Sequence, residues 1–274
     1  MTQFAINYSP EAEALHREGI IGVDLFKCPD KPEIIEAALR AGPCYVHFRI
    51  RAGCGPLDEP QVQRAAEMLE LTRTAALNMH ISPNVRDFPG MDIDTRSEDD
   101  QRRVREAIVR DIRHLMARFA DLPIVLENLP YTPHQPYAVP RPALEPALID
   151  EVVRTTSGKL LLDITHAAMA AKYFGVDERD YLAALPGELI HEIHISGTQL
   201  GEDGLWMDHY ALRDEDWRLI EWVFDRIRRG EWRRPRVATL EYGGMNLTDG
   251  RPSDRATIAQ EAPRLGEMIR WMSR

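Results

Sequence analysis

Eight short aliphatic runs, each followed by an amphipathic stretch, recur along the 274 residues, and this alternation limits the fold more than any single motif does. Strand-period runs alternating with helix-period runs give a parallel sheet joined by crossover helices. The runs are Phe4 to Asn7, Ile21 to Phe26, Cys44 to Arg49, Leu77 to Ile81, Pro123 to Asn128, Leu160 to His166, Glu188 to Ser196 and Arg236 to Tyr242. Between them, Ser9-Pro10 opens a helix with an N-cap and a first-turn proline, and Ala41-Gly42-Pro43 stops the one that begins at Lys31. A long charged helix is expected over about residues 98 to 120, and a final one near Ser253 to Met272. Eight units in this length predict an α/β chain folded as one (β/α)8 barrel, a single domain over 1–274 with no linker.

Such a barrel keeps its chemistry at the C-terminal ends of its strands. Those ends carry imidazoles and carboxylates: His47 on the third, His80 on the fourth, Glu127 on the fifth, Asp163 and His166 on the sixth, His194 on the seventh and Glu241 on the eighth. Asp208 and His209 fall in the loop expected after the seventh strand. Alternation along a strand puts Val125 with Glu127, Leu161 with Asp163 and Thr239 with Glu241, so that each acid ends an inward row. It likewise groups Glu192, His194 and Ser196 on one face and leaves His191 on the other. Buried carboxylates are costly without cations, and no comparable set of inward Lys or Arg is expected to offset them. Bound metal ions would. Imidazole and carboxylate donors suit iron, zinc or manganese, and no cysteine falls at a matching position as a Cys-rich zinc site would require. Asp163 has a second reading, as N-cap of the Ala-rich helix that follows it.

Other residues are candidates for holding substrate. Arg49 and Arg51, just past His47, would pair with a carboxylate or phosphate, or else are solvated loop charges. The stretch from Leu129 to Pro142 carries Pro130, Pro133, Pro136, Pro140 and Pro142 with Tyr131 and Tyr137, too rigid for helix and suited to a lid or a cleft wall, with Tyr131 toward substrate. Asn128 is a candidate for substrate contact and, with Ser196, for orienting ligands. A net charge of −10 argues against non-specific nucleic-acid binding and against anionic membranes, and favours small molecules or peptides. Three cysteines without a paired framework and an opening without a basic-then-apolar signal point to a cytoplasmic protein, and no apolar run reaches the roughly 18 to 20 residues that span a bilayer.

With these residues in view, the chain resembles the xylose-isomerase-like superfamily of TIM barrels, and within it the multinuclear non-haem iron-dependent oxidative enzymes of the methanobactin-biosynthesis type. The resemblance rests on Leu126-Glu-Asn128, Leu162-Asp-Ile-Thr-His166, Ile193-His-Ile-Ser-Gly197, Asp208-His209 followed by a helix with Trp217, and Thr239-Leu-Glu241. It implies a two- or three-iron centre, activation of dioxygen, and oxidation of a cysteine or a nearby group in a peptide or small thiol. Carried over by position, His47, His80, Glu127, Asp163, His194, His209 and Glu241 match the family's ligand pattern. Glu127 and Glu241 are the candidate catalytic carboxylates on their chemistry, Glu127 as a bridge between two metals and either as the base in an isomerase route. The family usually separates Asp and His by one residue where this chain has Asp208 and His209 adjacent, and often has Asn at the position of His166. The chain shows no appended peptide-recognition domain, so a peptide substrate implies a separate partner protein or direct docking. Related barrels use Zn2+, Mn2+ or Mg2+ to isomerise or epimerise sugars or to cut DNA at abasic sites, and a non-catalytic barrel serving as a partner subunit is a third reading.

Overall fold

The structure, a computed structural model, describes residues 1–274 except 135–136, 203 and 245–252, so Pro136 of the proline-rich stretch lies outside the described residues. In chain order the strands are β1 (Gln3–Asn7), β2 (Leu25–Pro29), β3 (Cys44–His47), β4 (Arg51–Ala52), β5 (Leu77–Ile81), β6 (Ile124–Glu127), β7 (Lys159–Asp163), β8 (Ile190–Ile195), β9 (Gly197–Leu200), β10 (Trp206–Tyr210) and β11 (Val237–Leu240). The α-helices are α1 (Pro10–Arg17), α2 (Pro32–Ala41), α3 (Glu59–Thr72), α4 (Glu98–Arg118), α5 (Pro146–Thr156), α6 (Ile164–Phe174), α7 (Glu178–Ala183), α8 (Asp214–Arg228) and α9 (Arg255–Met272). They fall into two compact units: the first comprises Met1–His47, Met68–Thr74 and Glu188–Arg274, the second Phe48–Glu67 and Ala75–Gly187.

In the first unit β3, β2, β1, β11 and β8 pair in that order, all parallel. Ser9 caps α1 by accepting from the Ala12 N–H, with Pro10 in its first turn, as expected. The second strand is displaced from its expected place. Ile20 and Ile21, the start of the aliphatic run, close α1 by donating their N–H groups to the Leu15 carbonyl, after a left-handed Gly19. The chain therefore enters β2 only at Leu25, which draws Lys27 into the strand.

The same unit holds an antiparallel pair, β9 with β10, where only a loop was expected. Its register shifts between Met207 and Tyr210, a bulge that spans Asp208 and His209. A bulge breaks the strict alternation of a strand, so neighbouring side chains can be aimed toward one side. His209 is also in the left-handed region, at φ 66°. Gly197 opens the pair where nothing larger fits: a Cβ there would lie 1.8 Å from the Ala211 carbonyl oxygen.

In the second unit β4, β5, β6 and β7 form a parallel ladder. The third expected run ended at Arg49, but its strand stops at His47 and a separate β4 follows. Leu160, Leu161 and Leu162 of β7 are at most 1% exposed, the burial of a strand covered on both faces. Each such side chain contributes roughly 1.5–3 kcal/mol on burial. α4 buries Val104, Ile108, Ile112 and Leu115, a helical stripe, and interrupts it with the buried Asp111. That carboxylate accepts from the N–H groups of Gly53 and Gly55, both at positive φ, and so fixes the turn just past Arg51. Among the described residues, no helix is long and apolar enough to cross a membrane.

Candidate metal-binding clusters

The second unit gathers its acids and imidazoles at the ends of β5, β6 and β7. Glu127, the last residue of β6, is 1% exposed and lies between two imidazoles. His80 Nε2 is 3.2 Å from its Oε2, and His166 Nδ1 is 3.4 Å from its Oε1. Each carboxylate oxygen thus faces a different ring, the arrangement a bridging carboxylate needs. His80 Nδ1 is 3.3 Å from the Ile50 carbonyl oxygen. A proton placed there by that contact leaves the Nε2 lone pair directed at Glu127, as in a metal-ligating histidine.

Asp163 has the N-cap role read from the sequence for its position, and its second carboxylate oxygen stays beside an imidazole. Its Oδ1 accepts from the His166 N–H at 2.7 Å and caps α6, while Oδ2 faces His166 Nδ1 at 3.4 Å. Asn128 holds it from behind: the amide donates to the Asp163 carbonyl at 2.9 Å and accepts from the Asp163 N–H at 3.0 Å. Asn128 is fully buried, and its amide spans that backbone. Glu127, Asp163 and His166 offer donor atoms within 4.8 Å of one another, all from buried side chains. His166 Nδ1 also lies 3.0 Å from the Asn128 carbonyl oxygen, which can only accept, so this contact places the ring proton on Nδ1 and leaves Nε2 as the nitrogen suited to a metal. The donor set, two carboxylates and an imidazole with no sulfur, fits a hard or borderline dication.

The first unit builds its own cluster, hereafter the first cluster, on β2, β3, β8, β10 and the end of β11. His194, fully buried on β8, has Nε2 2.7 Å from Glu192 Oε1, which also accepts from the Tyr45 hydroxyl at 2.7 Å. That leaves His194 Nδ1 facing Glu241 Oε1 at 2.9 Å, a contact between nitrogen and carboxylate oxygen that requires a proton or a cation. One cation is present: the Lys27 ammonium pairs with the same Oε1. A single lysine is not a set comparable to the acids, but it is an inward cation that the sequence reading leaves out. Glu241 Oε2 faces His209 Nε2 at 3.7 Å, and Asp208 Oδ2 lies 3.8 Å from the same nitrogen. The bulge has brought the adjacent Asp208 and His209 to one side, and Ser196 Oγ pins His209 by accepting its N–H. His47, half-buried at the end of β3, sets its ring 5.0 Å from that of His194.

Lys27, Tyr45 and Glu192 are the members that sequence reading passed over. Glu192 was grouped on the His194 face without a role, Tyr45 sat in an aliphatic run, and Lys27 lay one residue beyond the expected strand.

Of the residues expected to meet substrate, Arg49 is exposed. Arg51 is anchored by its Nε, which donates to the Ser82 carbonyl and Oγ, and its guanidinium lies 5.2 Å from the centre of the Tyr137 ring. Its Nη2 is buried without a hydrogen-bond partner. Tyr131 stacks on Tyr173 with centroids 3.8 Å apart, which ties the proline-rich stretch to α6. Burial and the nearby Asp94 carboxylate raise the Tyr131 hydroxyl pKa, and the same causes push Tyr173 up to about 12, so both remain neutral donors near neutral pH.

The segment after β10 is held by a buried acid of α9. Glu261 Oε1 accepts the Leu212 N–H at 2.7 Å, and burial, with Asp216 adding to it, pushes the carboxyl up to about 7. The folded chain thus binds a proton there more tightly than the unfolded chain, whose carboxyl titrates near 4.3. Its contribution to stability is complete below the unfolded pKa and falls as pH rises from about 4.3 to about 7. Glu261→Gln, which retains the acceptor, is expected to flatten that part of the profile. Urea midpoints of the two proteins from pH 5 to pH 8 check it; parallel profiles would reject it.

Residues 51–231 match the family described as RiPP precursor modification enzyme MbnB/TglH/ChrH. Among curated proteins, UPF0276 proteins are similar: one from Vibrio parahaemolyticus is 34% identical over 79 residues, 27% of each chain. Another, from Caulobacter sp., is 30% identical over 136 residues, 46% of each chain. The matches span less than half the length of these relatives. Among solved structures, D-psicose 3-epimerase from Clostridium cellulolyticum has a TM-score of 0.54 at 12% identity, over 99% of both chains. A xylose isomerase domain protein from Planctomyces limnophilus gives 0.57 at 10%, over 99% of this chain and 97% of that one. A family 2 AP endonuclease from Brucella melitensis gives 0.57 at 13%, over 96% and 99%. These likenesses show the xylose-isomerase-like TIM-barrel fold. With the matched stretch covering well over half of the sequence and carrying Glu127, Asp163, His166 and His194, the chain belongs to the MbnB/TglH/ChrH family of RiPP precursor modification enzymes.

Proposed function

We propose that this enzyme uses two or three iron ions and dioxygen to oxidise a cysteine, or a group beside one, in a peptide or small thiol. The observation that carries this reading is the buried set Glu127, Asp163 and His166, within the stretch that matches the precursor-modifying family. When bound, iron supplies one-electron chemistry and a site for thiolate, neither of which the protein's own side chains provide. His80, Glu127, Asp163 and His166 would hold it in the second unit, and His194, Asp208, His209, Glu241 and His47 in the first.

The remaining work falls to the chain. Glu127 neutralises charge and, with an imidazole at each oxygen, keeps both donors oriented. Asn128 fixes the Asp163 backbone, and the pair of Tyr45 with Glu192 fixes the His194 ring. We assign to Glu127 or Glu241 the task of accepting the thiol proton as substrate binds. The Tyr131 and Tyr173 pair offers a flat face to a peptide side chain. We assign presentation of the peptide to a separate partner protein, and we place the enzyme in the cytoplasm, where free thiols persist.

The test is oxygen uptake. Protein loaded with Fe2+ under argon should consume dioxygen when given a cysteine-containing precursor peptide, and zinc-loaded protein should not, because zinc has no accessible redox step. Full turnover under argon with zinc, manganese or magnesium would overturn the oxidative reading in favour of isomerase, epimerase or hydrolase chemistry.

A further inference from the structure

One feature of the first cluster is foreign to a plain metal site: a lysine in its interior. Lys27 is 7% exposed, in the middle of β2, where the register sets it beside Asn7 of β1 and Tyr45 of β3. Its ammonium reaches Glu241 Oε1, the oxygen that His194 Nδ1 also approaches at 2.9 Å. The other oxygen, Oε2, faces His209 Nε2 at 3.7 Å. The carboxylate is thus divided between two neighbourhoods. An ammonium has three donors and no lone pair, so it cannot ligate a metal, and it repels a dication from the oxygen it holds. The acids of this cluster are Glu192, Asp208 and Glu241, all buried, and their three charges against one ammonium leave a formal −2, that of a single divalent ion. Without the ammonium the deficit would call for more.

We propose that Lys27 is a resident cation that sets the metal capacity of the first cluster, withholding Glu241 Oε1 so that Glu241 meets metal through Oε2 alone. Lys27 is then a positioning residue, and it limits how many ions this half of the enzyme can hold. The inference rests on the metal reading above and is independent of which metal is used and of dioxygen.

The experiment is a titration of the full chain, stripped of metal, with Co2+ under argon, read by calorimetry, by elemental analysis after desalting and by the visible bands that report cobalt coordination. Lys27→Met removes the charge at similar length, and Lys27→Arg keeps it. Lys27→Met should bind one more equivalent of cobalt than wild type, or bind its first-cluster ion about tenfold or more tightly. A cobalt spectrum altered from that of wild type should accompany the change. Lys27→Arg should match wild-type stoichiometry. Unchanged or weaker binding by a folded Lys27→Met, or by Lys27→Gln if Met does not fold, overturns the proposal. So does loss of a cooperative melt in both, which would make Lys27 a purely structural residue. A wild type that takes up no cobalt would sink the metal reading itself, whereas a wild type that binds it with Lys27→Met unchanged would sink only the role of Lys27.

Discussion

Glu127→Ala is expected to remove most of the metal bound by the second unit and to leave an apo protein close to wild type in stability. A buried carboxylate costs several kcal/mol in lost solvation, which its substitution relieves, and the two imidazoles that flank it can shed protons rather than remain as stranded charges. The bound form behaves differently. An ion present at a thousandfold excess over its dissociation constant stabilises the folded chain by about 4 kcal/mol, and the variant should forfeit most of that. The measurement pairs elemental analysis with thermal unfolding, with and without a chelator: chelation should lower the melting temperature of Glu127→Ala by less than that of wild type, leaving only the part supplied by metal in the first unit. A variant that retained the wild-type metal load would remove Glu127 from the donor set.

Gly197→Ala should be the most disruptive single methyl in the first unit. The added carbon would lie 1.8 Å from the Ala211 oxygen, 2.4 Å from the Ala211 carbonyl carbon and 2.8 Å from the Tyr210 oxygen, all backbone atoms. No rotamer relieves such a clash, so β9 and β10 must part. Overpacking costs roughly 1–3 kcal/mol, occasionally more. Because β10 carries Asp208 and His209, the damage should extend to chemistry: metal held by the first cluster should weaken while the second unit retains its own. Denaturant midpoints and metal content together check this. Wild-type stability with a full metal load would show that the pair can shift without loss.

What was readable in the sequence, and what was not, follows from which groups dominate each segment. Leu77–Ile81 matches the expected strand residue for residue, because its aliphatic run is bounded by polar stretches and has no competing use. Ile20 and Ile21 did have one. They close α1, so the strand starts later and takes in Lys27, which lies beyond the aliphatic run Ile21 to Phe26. The β9 and β10 pair is half-exposed and lacks an aliphatic run, so its period was weak, although Gly201 and Gly204 do mark a turn between them. The strand-end acids and imidazoles were legible because alternation alone sorts them by face. What hidden register decides, such as the bulge that gathers Asp208 and His209, depends on hydrogen bonds between segments that a single strand's pattern does not encode.

The junction between β7 and α6 has no connecting residue: Asp163 ends the strand and Ile164 begins the helix. One consequence concerns inheritance rather than chemistry. A strand changes face with every residue and a helix turns by about 100° per residue, so an insertion or deletion within Lys159 to Asp163 would turn Asp163 to the other face, and one within Ile164 to His166 would rotate every later side chain of α6. Length variation among descendants of this chain should therefore be excluded from that segment and tolerated instead in the stretch from Leu129 to Pro140. The segment 159–174 would then pass between relatives as an indivisible cassette, its length as constrained as its residues.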